Sequence, residues 1–400
     1  MKIYLHFENV GIGDCLLLYL NSEDDTYKML IDCGKYNSSI KKLFEVDYKI
    51  KHIDKLIITH FDNDHIIGVI ELLKALPDLK INDIWFNCYR HLPKGEEIQL
   101  TDFQRKKIEE LYQHLNSTNH LIEHDISAEN ALSLSNILAN NSEWLKVWNT
   151  LSISLNEKKE YDLGKWGNIR LLSPTTIELE QLEKVFKVEF CKKLYGKAET
   201  TSFEKNNEIY ELLLRTIDDN TNELPDNEFS ISTKLLLNKQ LIQAYSREIS
   251  PIDNTETNRS SIAFIWSINN HSILFLGDSA PDVILEQIRE YKLEKGLAEK
   301  VLYFDAIKVS HHGSKRNISS ELLKEIDSMN FIFCGRSEKR PDEICISKII
   351  NRSLPEGIAV RNLIFNNENE VIRNFNRNIN IQQELNFTIS INTFIEFDWE

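Results

Sequence analysis

The chain has 400 residues, of which 42% are hydrophobic, and its formal net charge is −15 at pH 7. A chain of this length can bury a large core, either as two or three domains or as one elaborated domain. The excess of acidic residues argues against non-specific binding to duplex DNA, which depends on clustered lysine and arginine, although divalent cations could still bring a phosphate group to the protein.

The six cysteines are scattered along the chain, as expected for reduced thiols in a cytosolic protein. The N-terminal segment lacks the basic start and the small-residue cleavage site of a signal peptide. No stretch approaches the roughly eighteen uninterrupted apolar residues that span a bilayer. These features predict a soluble cytoplasmic protein without a membrane partner.

The first eighty residues predict strands joined by turns and then a helix. Residues 2–7 alternate between apolar and polar, and residues 28–31 form a further strand. Residues 56–58 are wholly apolar, which is typical of a strand buried on both faces. A polar cluster at residues 60–65 follows directly, and helical spacing begins at residue 66. The cluster should therefore lie at the carboxyl end of a strand, where open α/β sheets usually bind ligands.

Two polar, acidic segments occupy the middle of the chain, at residues 90–165 and 177–256. A short strand pattern at residues 168–172 separates them, and strand-rich blocks flank both. This arrangement predicts one domain, residues 1–400, with two insertions that act as a lid or as a surface for a protein partner.

Regular strand patterns return after the second acidic segment. Gly277-Asp278 follows the strand pattern of residues 272–276, and a Ser-His-His-Gly sequence follows that of residues 306–309. Residues 378–397 alternate enough for one or two further strands.

Aspartate and histidine follow the ends of three predicted apolar strands. His60, Asp62, Asp64 and His65 lie within six residues, and Asp278 and the His311-His312 pair follow two later strands. Imidazole and carboxylate groups are ligands for divalent metals. A solvated loop rich in these residues is the alternative for the first cluster alone, but the repetition at three strand ends favours a metal site.

These residues also carry a resemblance to a known family. The segment THFDNDHIIG resembles the HxHxDH signature of the metallo-β-lactamase superfamily, with Asp62 in place of the middle histidine. GIGDCLLL, LIDCG, NRSSIAFIW, ILFLGDS and KVSHHGS stand in the order seen in the hydrolase domain of ComEC-like competence proteins, over residues 1–75 and 255–350. The resemblance implies a mixed α/β fold, a four-layer αββα sandwich with metals at one edge of two facing sheets.

The resemblance also implies a set of ligands for two divalent ions, zinc or manganese, bridged by Asp278. Asp32 would orient ligands through hydrogen bonds, and Asp14 would lie in the turn beside the site, where ordinary turn chemistry is an equal alternative. The remaining implied ligands are His60 and Asp62 for the first ion, and Asp64, His65 and either His311 or His312 for the second. Because the two adjacent histidines follow a strand, we expect only one of them to face the metal.

The sequence departs from the superfamily pattern between the first cluster and Asp278, where another histidine ligand is expected. The histidines of this interval have no comparable context, and we expect them on helix surfaces or loops. ComEC-like proteins carry an Asn/Ser segment instead, which Asn258 and Ser260 match, and both are candidate substrate-binding residues. The first metal site would then be weak or filled only with substrate present. The histidines concerned are His91, His114, His120 and His124.

Three cations flank the later histidine pair and are candidates for contact with a phosphate: Lys308, Lys315 and Arg316. A solvated, charged turn is an equally good interpretation of these residues. Residues 331–341 lack the histidine that the resembled family has near its later proline, so part of the substrate pocket is not predicted.

The predicted chemistry is metal-dependent hydrolysis. A water held between two divalent ions loses its proton near neutral pH and attacks the substrate. Carboxylate-rich ligation shifts the preference towards harder ions, so manganese competes with zinc. The leading hypothesis is a phosphodiesterase or nuclease acting on nucleic acid or a nucleotide, with Asp64, Asp278, His311 and His312 as candidate catalytic residues. A lactone, thioester or β-lactam hydrolase and an inactive metal-binding interaction module remain as alternatives.

Overall fold

The computed structural model describes residues 1–88, 91–92, 127–184, 237–335, 337 and 340–399. Within these residues, one six-stranded and one eight-stranded β-sheet stack face to face, and helices cover the outer face of each. Among the described residues, no helix combines the length and the apolar character needed to cross a bilayer.

The first sheet has the strand order β16-β1-β2-β3-β5-β7. Strand β1 pairs antiparallel with both β2 and β16, so the last strand of the chain lies beside the first. Strands β3, β5 and β7 run parallel, and their carboxyl ends therefore meet at one edge. The strands are β1 (Lys2–Phe7), β2 (Leu16–Asn21), β3 (Thr26–Ile31), β5 (Lys55–Ile58), β7 (Ile84–Phe86) and β16 (Phe394–Asp398).

The second sheet has the order β15-β14-β13-β12-β11-β10-β9-β8. Strands β11 to β15 are parallel neighbours, whereas β8 to β11 pair antiparallel. The strands are β8 (Glu160–Asp162), β9 (Asn168–Ser173), β10 (Ala263–Ile268), β11 (His271–Phe275), β12 (Leu302–Lys308), β13 (Ile326–Phe333), β14 (Arg361–Phe365) and β15 (Phe387–Ile391), and a separate two-stranded sheet pairs β4 (His52–Ile53) with β6 (Lys80–Ile81).

Helices cover the outer face of each sheet. Those on the first sheet are α1 (Ser38–Lys41), α2 (Asn63–Ala75), α3 (Ser127–Asn140) and α4 (Ser142–Val147). Those on the second sheet are α5 (Lys239–Ser246), α7 (Pro281–Glu294), α8 (Ser320–Glu325), α9 (Glu343–Ile350), α10 (Glu370–Arg377) and α11 (Ile379–Leu385), and the short helix α6 (Glu256–Arg259) precedes β10.

Alternation along the strands explains this layering. On β2, Leu18 packs between the two sheets while its neighbour Leu17 packs against the helices outside. On β11 of the second sheet, Phe275 likewise packs between the two sheets and Leu274 packs against the helices outside. Since successive side chains of a strand point to opposite faces, a wholly apolar strand requires a packed layer on both sides. The observed order of layers confirms the predicted mixed α/β fold with an αββα sandwich.

The predicted insertions are described only in part, because residues 93–126 and 185–236 fall outside the described residues. Helices α3 and α4 pack on the first sheet through Leu134 and Trp144. Strand β8 already belongs to the second sheet, so the sandwich resumes before residue 165. The described parts of residues 177–256 form helices and loops without a strand. Their role as a lid or a partner surface stays a prediction.

The turn between β1 and β2 packs against the start of α2. The backbone N–H of Asp14 donates to the carbonyl oxygen of Asp64 at 3.2 Å, and the N–H of Gly34 donates to the carbonyl oxygen of Asp14 at 2.8 Å. A Cβ atom on Gly13 would lie only 1.6 Å from the carbonyl oxygen of Asp64. Only glycine allows the two backbones to approach this closely. The contacts join three segments of the chain, at residues 13–14, 34 and 64.

We expect Gly13→Ala to lower the free energy of unfolding by about 3 kcal/mol, because backbone atoms on both sides of the clash must move. Gly11→Ala is the matched control in the same turn, where φ is +90° but no atom lies within 4 Å of the added Cβ. Its cost should be limited to backbone strain of about 1 kcal/mol. Equal losses for the two variants in denaturant unfolding would contradict the close-packed turn.

Candidate metal centre

Four strand ends converge at one edge of the sandwich. Asp32 follows β3 and Thr59 follows β5 in the first sheet, while Asp278 and the histidine pair follow β11 and β12 in the second. The Nε2 atom of His65 lies 3.5 Å from the Oδ2 atom of Asp278, although the two residues belong to opposite sheets. The parallel strand ends therefore bring the predicted ligands together, because their carboxyl ends share one edge.

The start of helix α2 separates the side chains of the first cluster. Asp62 occupies the N-cap position in an extended conformation and makes no capping bond with its side chain. Its Oδ2 atom lies 3.6 Å from the Nε2 atom of His60. Asp64 and His65 stand in the first helical turn, with Asp64 Oδ2 at 3.8 Å from His65 Nε2. One short segment thus directs four ligand-type side chains towards the same space.

Asp278 lies at the centre of the site. Its side chain is almost fully buried, and one oxygen, Oδ2, faces four imidazole rings. Its backbone N–H donates to the hydroxyl of Ser261 at 3.1 Å, which fixes the strand end that carries it. The distances from Oδ2 to the four Nε2 atoms are 3.5 Å for His65, 3.6 Å for His311, 3.9 Å for His312 and 4.0 Å for His60.

Hydrogen bonds behind the rings fix the tautomer of His65. Its Nδ1 atom lies 2.8 Å from Asp32 Oδ2, and since a buried carboxylate accepts, Nδ1 carries the proton. Asp32 also accepts from the backbone N–H and the hydroxyl of Thr59, both at 2.7 Å. The Nε2 atom of His65 consequently points at Asp278, 3.5 Å away. Asp32 thus orients His65, and its role behind a metal ligand stays a prediction.

The buried polar atoms that lack partners point to a cation. His60 Nε2, His65 Nε2 and Asp278 Oδ1 are buried and have no hydrogen-bond partner among the described residues. Unsatisfied buried polar atoms cost free energy, and lone pairs that face a carboxylate repel it. A divalent cation between them would satisfy imidazole and carboxylate together. The residues therefore fit a metal site.

Three overlapping groups of residues have ligand atoms that all lie within 4.8 Å of one another; one consists of Asp14, Asp32 and His65, and the other two consist of implied ligands. His312 Nδ1 donates to the carbonyl oxygen of Cys334 at 2.9 Å, which leaves Nε2 directed at Asp64 Oδ2, 3.0 Å away. His65 belongs to all three groups, and Asp278 Oδ2 lies near the ligands of the two that consist of implied ligands. Those two groups are His60, His65 and Asp278, and Asp64, His65 and His312.

Both adjacent histidines face the site, so the expectation that only one of them would do so is wrong. His311 and His312 have φ values of +48° and +54°, and Gly313 follows with +84°. Residues in a strand would point to opposite faces, whereas successive left-handed residues curl the chain and turn both rings to the same side. This conformation is rare outside glycine and costs energy, and such strain concentrates at functional sites.

Lys308 does not meet a substrate, contrary to the sequence-based expectation. Because β12 is buried on both faces, its last side chain lies beneath the site, where its ammonium contacts the Asp14 carboxylate and donates to Gly277 O at 3.2 Å. Burial by itself would raise the pKa of Asp14, but Lys308, His312 and His65 together outweigh burial and lower that pKa to about 2. Asp14 also lies 3.3 Å from His312 Nδ1, so it supports a ligand instead of merely shaping a turn.

The candidate substrate-binding residues lie in different environments. The Asn258 side chain is buried and donates to Asp253 Oδ2 at 2.9 Å, whereas the Ser260 hydroxyl donates to Thr257 O at 2.8 Å. Lys315 Nζ lies 4.0 Å from a carboxylate oxygen of Glu248, and Arg316 is exposed. Of the four, Asn258 is the residue placed beside a ring of the site, 3.4 Å from His311 Nδ1.

The sequence did not identify Asp253, which lies in the second acidic segment. Its Oδ2 atom is 3.1 Å from His311 Nδ1, and Asn317 also donates to it at 3.1 Å. Burial would raise the pKa of Asp253, yet hydrogen bonds from His311 and Asn258 outweigh it and hold the pKa well below its usual range. An aspartate in a polar loop gives no local signal of this contact.

The histidines between the first cluster and Asp278 supply no described ligand. His91 is buried, with Nε2 at 2.7 Å from Asn149 O and Nδ1 accepting from the Cys88 N–H. It is buried, so a helix-surface position is wrong for it, but it lies outside the described strands and α-helices, as the loop alternative predicts. His114, His120 and His124 lie outside the described residues.

Comparison with known proteins supports the fold. The sequence model of the metallo-beta-lactamase superfamily matches residues 9–82, which include the His60–His65 cluster. Together with the four layers, this match defines a mixed α/β protein consistent with the metallo-β-lactamase fold, a superfamily whose members are generally metal-dependent hydrolases. No curated protein matches the chain. The ComEC-like resemblance stays a prediction.

Three solved structures are similar to this chain. The metallo-beta-lactamase fold protein YhfI from Bacillus subtilis has 9% identity and a TM-score of 0.37, with 100% of both chains covered. Zn²⁺-bound PqqB from Methylobacterium extorquens has 8% identity and a TM-score of 0.38, again with 100% of both chains covered. A diphosphatase of the PhnP family has 9% identity and a TM-score of 0.34, covering 100% of this chain and 98% of the other.

The charge on His312 predicts how metal binding depends on pH. Burial by itself would lower its pKa, but the Asp278 and Asp14 carboxylates outweigh burial and raise that pKa from 6.5 to about 9. In metal-free protein, His312 therefore keeps a proton below about pH 9, and a metal ion must displace it. Metal affinity should rise with pH, by up to about tenfold per pH unit for each displaced proton, and level off near pH 9.

Chelator competition at pH 7, 8 and 9, with proton release followed in weak buffer, would measure this dependence. An affinity that does not change over this range, without proton release, would contradict the proposed protonation of the metal-free site.

Proposed function

We propose that this chain is a dinuclear metal-dependent hydrolase that cleaves phosphodiesters in nucleic acids or nucleotides. The proposal rests above all on Asp278, whose buried Oδ2 atom faces four imidazole nitrogens within 4.0 Å. A carboxylate surrounded in this way is suited to two cations that share one ligand. The five described cysteines that are free and buried agree with a cytoplasmic location, which we also propose.

We assign the ligands of the second ion to Asp64, His65 and His312, with Asp278 as the bridge. The 3.0 Å distance between His312 Nε2 and Asp64 Oδ2 supports His312 for this position. Each ring is fixed from behind, His65 by Asp32 and His312 by the carbonyl oxygen of Cys334. Such partners orient a ligand and define its tautomer.

The first ion would be held by His60, Asp62 and the Asp278 bridge. One imidazole and two carboxylates form a harder set than the second position offers, which favours manganese alongside zinc. His60 is oriented from behind by the Thr59 hydroxyl, 3.1 Å from its Nδ1 atom. Asp62 is 29% exposed, so this side of the site opens towards solvent and substrate.

When bound, two such ions supply Lewis acidity and an activated water for attack on phosphorus. The chain's own residues place the reacting groups. Asp64, with one oxygen beside His312, can accept a hydrogen bond from the attacking water and direct it. Asp278 sets the spacing of the two ligand groups. The net charge of −15 disfavours long duplexes, so single strands, strand ends or small nucleotides are the substrates we propose.

Metal analysis tests the dinuclear assignment. We expect about two divalent ions per chain after reloading with manganese or zinc. Asp278→Asn should lower this content and abolish hydrolysis without unfolding the protein, because the shared oxygen loses its charge. Asp305→Asn is the control, since Asp305 pairs with His271 elsewhere on the second sheet. An Asp278→Asn variant with the full metal content and full activity would show that the bridge is misassigned.

A substrate panel tests the proposed reaction. With manganese, we expect bis-p-nitrophenyl phosphate, single-stranded DNA or RNA to turn over faster than a lactone. Lys315→Ala and Arg316→Ala, which change the cations after the histidine pair, should slow phosphodiester turnover several-fold if these side chains contact the phosphate. Faster turnover of the lactone, together with unchanged phosphodiester turnover in both variants, would reject the phosphodiesterase assignment. The absence of turnover on the whole panel would favour the inactive interaction module.

A further inference from the structure

Arg340 lies beside the metal centre, in the loop between β13 and α9. Its backbone N–H donates to the Ser337 hydroxyl at 3.0 Å, and its carbonyl oxygen accepts from the Asn369 side chain at 2.8 Å. The side chain is half-buried, and its Nη1 atom donates to the Nε2 atom of His311. The loop therefore holds this guanidinium directly against one ring of the site.

This contact fixes the state of His311. A guanidinium has no acceptor, so His311 Nε2 must accept from Arg340 and Nδ1 must carry the proton. That proton is donated to Asp253 Oδ2, 3.1 Å away. The Nε2 atom is itself 3.6 Å from Asp278 Oδ2, so only one imidazole ring separates the Arg340 charge from the proposed bridging carboxylate.

Arg340 differs from the other cations around the site in its partners. Lys308 contacts Asp14, and Arg259 makes two bonds to the Asp282 carboxylate, at 3.0 Å and 2.9 Å. For the Arg340 guanidinium, no carboxylate partner occurs among the described residues. In a chain with 62 acidic and 47 basic residues, a half-buried guanidinium that has no carboxylate partner among the described residues is unexpected. Within the described part of the chain, its remaining N–H groups have no assigned acceptor.

We propose that Arg340 binds an anionic oxygen of the substrate, a non-bridging phosphoryl oxygen, beside the first ion. The inference rests on the proposed phosphodiesterase function and names a specificity-determining residue for it. A planar guanidinium can donate two parallel N–H groups to a phosphoryl group, which a lysine ammonium cannot match. The same geometry gives little advantage with an uncharged lactone, so Arg340 favours anionic substrates.

Binding of the anion also affects His311. The Nε2 lone pair can serve one partner at a time, and without substrate that partner is Arg340. When the guanidinium turns to a phosphoryl oxygen, the lone pair becomes available towards Asp278 and the first ion. The predicted weak first position, which has a single histidine in His60, would thus gain a second imidazole when substrate is bound.

Titration of the metal-loaded full chain with inorganic phosphate tests the proposal directly. We expect Arg340→Gln to weaken phosphate binding by roughly 10-fold or more, the effect of losing a charge-assisted hydrogen bond. Arg340→Lys should be intermediate, because it keeps the charge without the planar fork. Arg377→Gln, which changes an exposed arginine on α10, should bind phosphate as the unchanged protein does.

Metal content and kinetics distinguish binding from a structural role. Arg340→Gln should keep at least the metal content of the unchanged protein, because His311 Nε2 is released, and KM for bis-p-nitrophenyl phosphate should rise by a similar factor. Unchanged phosphate affinity in Arg340→Gln would overturn the inference. If that variant does not fold, Arg340→Lys decides, and an unaltered affinity in it has the same meaning.

The two proposals fail in different ways. Absence of phosphodiester turnover by the unchanged protein removes the proposed function, but the phosphate titration still tests Arg340. Turnover that is equal in Arg340→Gln and the unchanged protein, with equal phosphate affinity, leaves the proposed function intact and removes Arg340 from it.

Discussion

The Asp278 carboxylate is almost fully buried, and its Oδ2 atom lies within 4.0 Å of four imidazole nitrogens from both sheets. Taking a charge out of water costs several kcal/mol unless close partners compensate it. Asp14 and Asp32 add two more buried carboxylates to the same region. The structure therefore concentrates negative charge where the two sheets meet, and the remaining features of the site concern how that charge is balanced.

Residues beneath the ligands balance part of this negative charge. Lys308 neutralises Asp14, and Asp32 is satisfied by Thr59 and His65. The Nε2 atoms of His60 and His65 have no hydrogen-bond partner among the described residues. The Nδ1 atoms of the same rings are hydrogen-bonded, to Thr59 and Asp32. The protein thus orients the Nε2 atoms of His60 and His65 before any cation binds, which lowers the cost of assembling the site.

The opposite side of the site is open to substrate and carries a different network. Asp253 orients His311, and Arg340 covers its outer nitrogen. The two histidines that adjoin in sequence therefore have different surroundings. His312 is enclosed between Asp14, Cys334 and Asp64, whereas His311 lies between the Asp253 carboxylate and the Arg340 guanidinium. This asymmetry underlies the roles proposed for the two residues, a permanent ligand and a substrate-dependent one.

Local sequence patterns predicted the fold class and placed most candidate ligands at the ends of strands. Apolar strands that end in Asp and His are local signals, because strand burial and turn formation depend on neighbouring residues. The sequence could therefore place His60, Asp278 and the histidine pair at strand ends. Because parallel strands end at the same edge of a sheet, it could also place these residues near one another. The same reasoning anticipated Asp32, which supports His65.

The packing of the two sheets, and not the local sequence, sets which side chains face the site and which lie beneath it. Lys308 has the same local context as a surface cation, yet packing of β12 between two layers buries it. Asp253 and Arg340 reach His311 across 58 and 29 residues of chain, and nothing in their own segments indicates the contact. Two successive left-handed residues turn both histidines inward, which a strand pattern cannot predict. These outcomes depend on contacts between distant segments, and such contacts form only when the two sheets pack together.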